Sequence, residues 1–414
     1  MDRCDVLVIG GGAAGMLASS VAAENGARVV LVEQNDKLGK KLCITGKGRC
    51  NLTNNRPVAG IIDNIPNGGR FLHSVLNLFS PADTMALFET LGVPLKTERG
   101  NRVFPRSDSA SDIVEALISY MADNDVKIKH GKALGIIAEN GRITGAEASC
   151  GKISCNSLIL ATGGKSYPAT GSTGDGYTLA GALGHTISPL RGSLVPLEAE
   201  PGTCGKMQGL TLKNVRLSVF DGGSKPIFEE FGELLFTHFG LSGPLALSAS
   251  AHMRDYDNKK YHVHIDFKPA LDEKKLDMRI LRDFEKYSNR DFINALGDLL
   301  SRLSIPVIVE KSGIPPDAKV HSISREQRLR LVRLLKAFRI DISGPRPVEE
   351  AIVTSGGVAL REITPKTMES KIVRGLYFAG EIIDADAYTG GFNLQIAWST
   401  AVAAARAATQ RLVL

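Results

Sequence analysis

Gly10, Gly12 and Gly15 form a G-x-G-x-x-G run between an apolar stretch and an Ala-rich one. That spacing suits phosphate chemistry. The first glycine permits a tight turn, and the second lets backbone approach a pyrophosphate. The third, beside Ala14, lets a helix pack closely on a strand. The free N–H groups and positive end of such a helix face the phosphates. Glu33 closes the next apolar run. A carboxylate there accepts hydrogen bonds from a ribose 2′-hydroxyl. A dinucleotide with a free 2′-hydroxyl, FAD or NAD rather than NADP, is expected at this site.

Near the other end, Gly380-Glu381 with Asp384 closes a further apolar run, and Thr389-Gly390-Gly391-Phe392-Asn393-Leu394-Gln395 opens an Ala-rich stretch. A helix N-terminus aimed at the N1/C2=O edge of a flavin stabilises the anionic reduced ring. An ordinary helix-entry turn is the competing reading. No second phosphate-type glycine motif occurs between 190 and 345. The single site therefore points to a tightly held flavin, with NADH or NADPH as a transient electron donor.

Strands and helices must position these groups. Asp5 to Ile9, Arg28 to Val32, Ser157 to Ala161 and Leu376 to Gly380 read as buried strands, as in parallel sheets covered on both faces. Met16 to Asn25 reads as a helix stopped by Gly26, and Asn393 to Leu412 as the last helix. Val126 to Ile137 reads as one strand. Between about 191 and 270 the pattern alternates like strands with a wet face, and between about 271 and 345 it becomes charged amphipathic helix. The expected fold class is α/β. Residues 1–190 and 346–414 form a Rossmann-like dinucleotide-binding domain. It is interrupted by an insert, 191–345, that is β-rich first and helical after.

Composition narrows the classes further. The chain has 414 residues, 43% hydrophobic and 23% charged, so it has apolar surface for a large core and is not a disordered protein. The net charge of +6 is spread rather than clustered, which argues against a nucleic-acid partner and suits a small anionic ligand. Arg325 to Lys336 is the one basic stripe a nucleic acid would use, and a solvated helix face explains it as well. None of the six cysteines has CxxC spacing, and the eight histidines show no metal-ligand spacing. Met1-Asp2-Arg3 leads straight into a strand, with neither a leader pattern nor a membrane-spanning run. A cytoplasmic, reducing setting is expected, without a metal or a membrane.

The runs VIGGGAAGM, VEQNDKLGKKLCITGKGRCNLTN, RVFPRSDSASDIVEAL, ILATGGKSYPATGSTGDGY, GELLFTHFGLSGP, VTSGGVALREITPKTMESK and GLYFAGEIIDADAYTGGFNLQIAWSTA together span nearly the whole chain. On them the sequence resembles the BaiN-like family of FAD-dependent, NAD(P)-linked flavoproteins, which includes aminoacetone oxidase-like members. The resemblance implies a glutathione-reductase-like FAD domain with an insert. It implies that Gly46, Gly48 and Asn51 line the cofactor. Lys47 stands where the family has glycine. Lys40, Lys41 and Arg49 are then candidates for compensating phosphate charge. Thr162-Gly163-Gly164 would pass beneath the ribityl-pyrophosphate, and the backbone of Ala133 would sit beside the adenine.

Substrate chemistry has few candidates. His238 is placed to protonate a carbanion after hydride addition, with a hydrogen-bonded interface histidine as the alternative. Arg102, or Arg106, is placed to hold a substrate carboxylate, and a salt-bridged surface is as good a reading. Cys50 is the candidate thiol, either packing on the cofactor or pairing with Cys43 as a redox couple. The reaction expected is hydride transfer from NAD(P)H to flavin and on to an activated C=C of a hydrophobic oxo substrate. The alternatives are a flavin amine oxidase using O₂ and a tRNA-modifying flavoprotein. The oligomeric state is left open.

Overall fold

A computed structural model describes residues 2–199 and 202–410. The expected end of the last helix, Leu412, lies outside them. The chain divides into two compact units, Met1–Ser193 with Val348–Leu414, and Leu194–Pro347.

The first unit is built on a five-stranded parallel sheet. In chain order its strands are β1 (Val6–Ile9), β2 (Val29–Glu33), β3 (Lys127–His130), β4 (Ser157–Leu160) and β5 (Leu376–Phe378). Their spatial order is β5-β4-β1-β2-β3, so β1 and β4 lie at the centre. Every residue of β1, β2, β4 and β5 is buried. The apolar runs are continuous because both faces of a parallel sheet are covered. Helix α1 (Ala13–Glu24) follows β1, and α3 (Phe392–Gln410) packs beside it. Alanine along both helices lets their backbones approach, and Asn25-Gly26, with Gly26 at φ +86°, ends α1. A short helix α2 (Lys40–Ile44) sits in the loop after β2.

The stretch read as one strand, Val126 to Ile137, is two. β3 ends at His130, and a second strand, Ala133–Glu139, turns into an antiparallel meander with Arg142–Ala148 and Gly151–Ser154. The break falls where the Gly131 N–H donates to the Glu33 carbonyl (2.8 Å), which ends the parallel pairing.

The second unit is a closed six-stranded barrel among the described residues, with a helical segment between its last two strands. The helical reading of 271–345 is correct only to Lys336. Phe338–Pro345 is a strand that closes the barrel against Tyr261–Asp266 and Leu197–Ala199. Phe338, Ile340 and Ile342 alternate inward, a period-two pattern masked by the charged helix before it. No helix among the described residues is long and apolar enough to cross a membrane.

Candidate active site

The site begins at the C-terminal edge of the parallel sheet. Gly10, at φ +105°, turns the chain out of β1. A Cβ there would lie 2.5 Å from the Ala161 carbonyl oxygen on the neighbouring strand exit. At Gly15 a Cβ would lie 1.7 Å from the Gly10 carbonyl oxygen, so only glycine lets α1 start this close to the turn. At Gly12 a Cβ would meet no atom of the chain within 4 Å. The three glycines thus divide into two that serve packing and one that leaves open space. The first turn of α1 carries no acidic residue, and no side chain caps it. Its N–H groups are left for an anion.

Glu33 is 7% exposed at the end of β2. Its Oε2 accepts the Gly11 N–H at 2.6 Å, and its Oε1 accepts both Asn35 N–H (2.7 Å) and Asn35 Nδ2 (2.6 Å). These bonds fix the carboxylate against the glycine turn. They use three of roughly four acceptor positions and leave one for a hydroxyl. Ala133, half-buried, begins the strand two residues after Gly131, whose N–H donates to the Glu33 carbonyl.

Beyond β4, the Thr162 hydroxyl is buried without a hydrogen-bond partner among the described residues and lies against Gly176, where a Cβ would come within 1.9 Å of it. Gly163 adopts φ +74° and provides the turn. Gly164 has another reason to be glycine. A Cβ would collide with Thr354 Oγ1 (2.3 Å) and Glu381 Oε1 (2.6 Å), so it makes room for a polar cluster rather than for a ligand. In that cluster Lys41 Nζ donates to Glu381 Oε2 (2.6 Å) and to Ser166 Oγ (2.7 Å). Glu381 Oε1 accepts from the Thr354 N–H (2.8 Å) and from Ser166 Oγ (3.1 Å). Thr354 Oγ1 accepts the N–H groups of Lys165 (2.7 Å) and Ser166 (3.2 Å).

At the far side, Gly380 (φ +77°) lies where a Cβ would come 2.9 Å from the Ala14 Cβ, which explains both small residues. Asp384 accepts from Asn67 Nδ2 (2.7 Å). Gly391 (φ +96°) passes so close to Thr53 that a Cβ would lie 2.3 Å from its carbonyl oxygen. Asn51, with its amide oriented so that Oδ1 faces the Gly391 N–H (3.0 Å), ties the basic loop to the start of α3. Asn393 holds Ala387 through both ends of its amide (2.9 and 2.7 Å). Leu394 is half-buried in the first turn.

Several expected roles are corrected. The three cations expected to compensate phosphate charge are already paired with the chain's own carboxylates. Lys40 pairs with Asp36 (2.7 Å), and Lys41 with Glu381. Arg49 pairs with Glu98 and Asp108 while lying over the Phe104 ring at 4.2 Å. Those pairs hold the Glu98 and Asp108 carboxyls below the usual range, chiefly through hydrogen bonds from Arg49 and Lys96 respectively. Cys50 is fully buried, and desolvation pushes its thiol up, with Cys43 adding to the effect. That setting matches the packing reading of Cys50 better than the thiolate one. Gln395 is fully buried. Its amide accepts from Thr53 Oγ1 (2.5 Å) and Thr84 Oγ1 (2.9 Å), and donates to the Phe79 carbonyl (3.1 Å) and Ser399 (3.0 Å). Its side chain is a core node rather than a ligand contact. Arg102 Nε donates to the Arg99 carbonyl (3.1 Å) and its guanidinium faces Glu98, which is the salt-bridged surface reading.

His238 belongs to the second unit, exposed between two barrel strands with its ring edge-on to Phe239 (5.0 Å). In the same unit the basic helix Arg325–Lys336 spends Arg328 on Asp277 (2.6 Å), Lys336 on Asp266 (2.6 Å) and Arg330 on Glu326 (3.6 Å). Sequence reasoning missed the Thr354–Ser166–Glu381 cluster. Its signal was present in the two adjacent small-residue runs, VTSGG and TGGKS.

An open glycine turn and a fixed carboxylate at the C-terminal edge of a parallel sheet are the features of a dinucleotide-binding domain. The chain belongs to the HI0933-like family, whose Rossmann domain it matches over residues 4–407. This is a family of FAD-dependent oxidoreductases. Among its relatives, the 3-dehydro-bile acid delta(4,6)-reductase of Clostridium scindens is 32% identical over 408 residues, covering 98% of each chain. The ribosomal RNA dihydrouridine synthase of Escherichia coli is 30% identical over 406 residues, again covering 98% of each. The fold matches a solved 3-ketosteroid delta1-dehydrogenase from Sterolibacterium denitrificans with a TM-score of 0.51 at 13% identity, over 99% of this chain and 100% of that one.

Proposed function

We propose that this protein is an NAD(P)H-linked, FAD-dependent reductase that saturates a carbon–carbon double bond conjugated to a carbonyl. One observation carries the reading. A chain with this dinucleotide cradle is similar, end to end, to two proteins whose names describe that chemistry. One is a reductase of 3-oxo bile acid double bonds. The other makes dihydrouridine, and the C5=C6 bond of uracil is likewise conjugated to a carbonyl.

When bound, FAD supplies two-electron hydride chemistry. The N-terminus of α1 and the open side of Gly12 take the pyrophosphate, and the remaining acceptor position of Glu33 takes a ribose hydroxyl. Ala133, Thr162 and Gly163 would help to hold the rest of the dinucleotide. The Lys41–Glu381–Ser166 cluster acts behind this surface by fixing α2 to the end of β5. Gly46, Gly48, Asn51 and the first turn of α3 would help to hold the flavin, with Asp384 and Asn393 shaping the loop between β5 and α3. His238, in the second unit, is the candidate proton donor, since saturating a conjugated bond requires a proton at the α-carbon.

The test is anaerobic. FAD-loaded protein is mixed with NADH or NADPH and the visible flavin absorbance is followed. A 3-oxo-4-ene steroid acid, a uridine-containing RNA or air is then added. Bleaching by a nicotinamide, fast recovery with an enone acceptor and slow recovery in air support the reductase. Bleaching by aminoketones but by neither nicotinamide, with fast recovery in air, overturns it in favour of an oxidase. Protein that takes up no FAD overturns it altogether.

A further inference from the structure

The loop from Thr45 to Asn51 is strung between two anchors. At one end Lys41 is held to Glu381 beyond β5, and at the other Asn51 is held to Gly391 at the start of α3. Between them three consecutive residues adopt left-handed backbone: Gly46 (φ +63°), Lys47 (φ +61°) and Gly48 (φ +84°). The turn is fixed by the Cys50 N–H donating to the Thr45 carbonyl (2.9 Å) and the Ala110 N–H to the Gly48 carbonyl (2.8 Å). Two of the three positions are glycine, the residue such backbone favours. The middle one is a lysine, a side chain that is strained there.

Lys47 also differs from the other cations of this loop in its partners. Lys40, Lys41 and Arg49 each have a carboxylate partner. Lys47 is exposed and has no carboxylate within ion-pair reach among the described residues. A lysine needed only for solubility could sit in any relaxed surface position. A strained residue at the middle of a doubly anchored loop points to a role for its side chain.

We infer that Lys47 is a specificity-determining residue, whose ammonium recruits an oxyanion of the substrate to the edge of the active site. This rests on the reductase reading, because the loop borders the site only where the two anchors do. The oxyanion is a carboxylate in an acidic steroid or a phosphate in a nucleotide. Lysine suits either as a point charge on a long stem. A glycine in its place relieves the backbone and removes the charge, so Lys47→Gly is expected to fold at least as well as the parent.

The experiment uses the FAD-loaded protein and measures equilibrium binding by perturbation of the flavin spectrum, without turnover. The probes form two matched pairs: a 3-oxo-4-ene steroid carboxylic acid with its methyl ester, and uridine 5′-monophosphate with uridine. The parent is expected to bind the charged member of one pair more tightly, by about fivefold or more at low salt. The pair that shows the preference identifies the source of the oxyanion. Lys47→Gly loses that preference, and Lys47→Arg keeps it. An unchanged charged-to-neutral ratio in Lys47→Gly overturns the inference. So does binding of neither pair by the parent, or a shift of flavin potential in Lys47→Gly without any change in the ratio. Reduction of a neutral enone without a Lys47-dependent preference leaves the reductase standing and removes this inference. A Lys47-dependent preference without reduction does the reverse.

Discussion

Replacing two glycines of one turn by alanine separates cofactor clearance from protein packing. At Gly15 the added methyl would lie 1.7 Å from the Gly10 carbonyl oxygen and 2.9 Å from the carbonyl carbon. Backbone atoms cannot rotate away, so α1 must shift or the turn must open. Alanine improves helix propensity by about 1 kcal/mol at an interior helix position. Overpacking a tight site costs about 1–3 kcal/mol when neighbours can move, and this contact is tighter than that. Gly15→Ala is therefore expected to lose about 2 kcal/mol or more net, and to fail to hold FAD because the turn itself is displaced. At Gly12 the methyl meets nothing, and the residue already has φ −84° and ψ −167°, open to any side chain. The entropic gain of about 0.4–1 kcal/mol is offset by a cap loss of similar size, so the apoprotein keeps its stability within about 0.5 kcal/mol. The methyl does occupy the space proposed for the pyrophosphate, and FAD affinity is expected to fall by about tenfold to a hundredfold. Denaturant unfolding of the two apoproteins and fluorescence titration with FAD read both quantities. A Gly15→Ala protein as stable as the parent would refute the packing argument, and undiminished FAD binding by Gly12→Ala would refute the placement of the pyrophosphate.

Three further outcomes follow from the same geometry. Gln395→Ala strips four polar partners in a dry site and is expected to destabilise the apoprotein by about 3–5 kcal/mol in chemical denaturation; a loss under about 1 kcal/mol would show that the amide does not hold the α3 region. Glu381→Gln leaves the partly buried Lys41 ammonium without its carboxylate, and a double-mutant cycle with Lys41→Met should return a coupling of at least about 1 kcal/mol, whereas additivity would show the pair to be incidental. His185 is buried against Phe378, with Nε2 2.9 Å from Ser370 Oγ, and burial lowers its pKa from the ordinary 6.5. Its neutral form is favoured in the fold, so its share of stability is complete above that value and is lost as pH falls below it. The slope of stability against pH in that acid window should be shallower in His185→Gln, with His262 and His264, also lowered by burial, supplying the remainder; an identical slope would refute the assignment.

The parts of the site legible in the sequence are those whose logic is local. A buried parallel strand is an unbroken apolar run, so β1, β2, β4 and β5 stand out, and the glycine turn and Glu33 are read from their place at strand ends. Charge partners are not local. Arg49 meets Glu98 and Asp108 only because the loop folds back on the small sheet that carries Phe104. Lys41 meets Glu381 across 340 residues. Without those partners in view, every cation of the loop looks free to bind phosphate, and the structure leaves only Lys47 in that state within the Gly46–Asn51 turn. Gln395 misleads in the opposite way. Its position at a helix start suggests a ligand, while its partners Thr53, Phe79 and Thr84 lie more than 300 residues upstream.

Glu33 and Glu381 look alike in the sequence, each an acid closing a buried parallel strand beside glycines. The structure gives them opposite electrostatics. Glu381 is neutralised by an ammonium at 2.6 Å, so the cluster presents no net charge to its surroundings. Glu33 is held by three N–H groups and by no cation among the described residues. Such a carboxylate accepts a hydroxyl and repels a phosphate. A 2′-phosphorylated ribose would bring about two negative charges against it in a partly desolvated site, which is repulsive by several kcal/mol at the effective dielectric of such places. An acid so placed at the end of β2 favours an unphosphorylated ribose over a 2′-phosphorylated one.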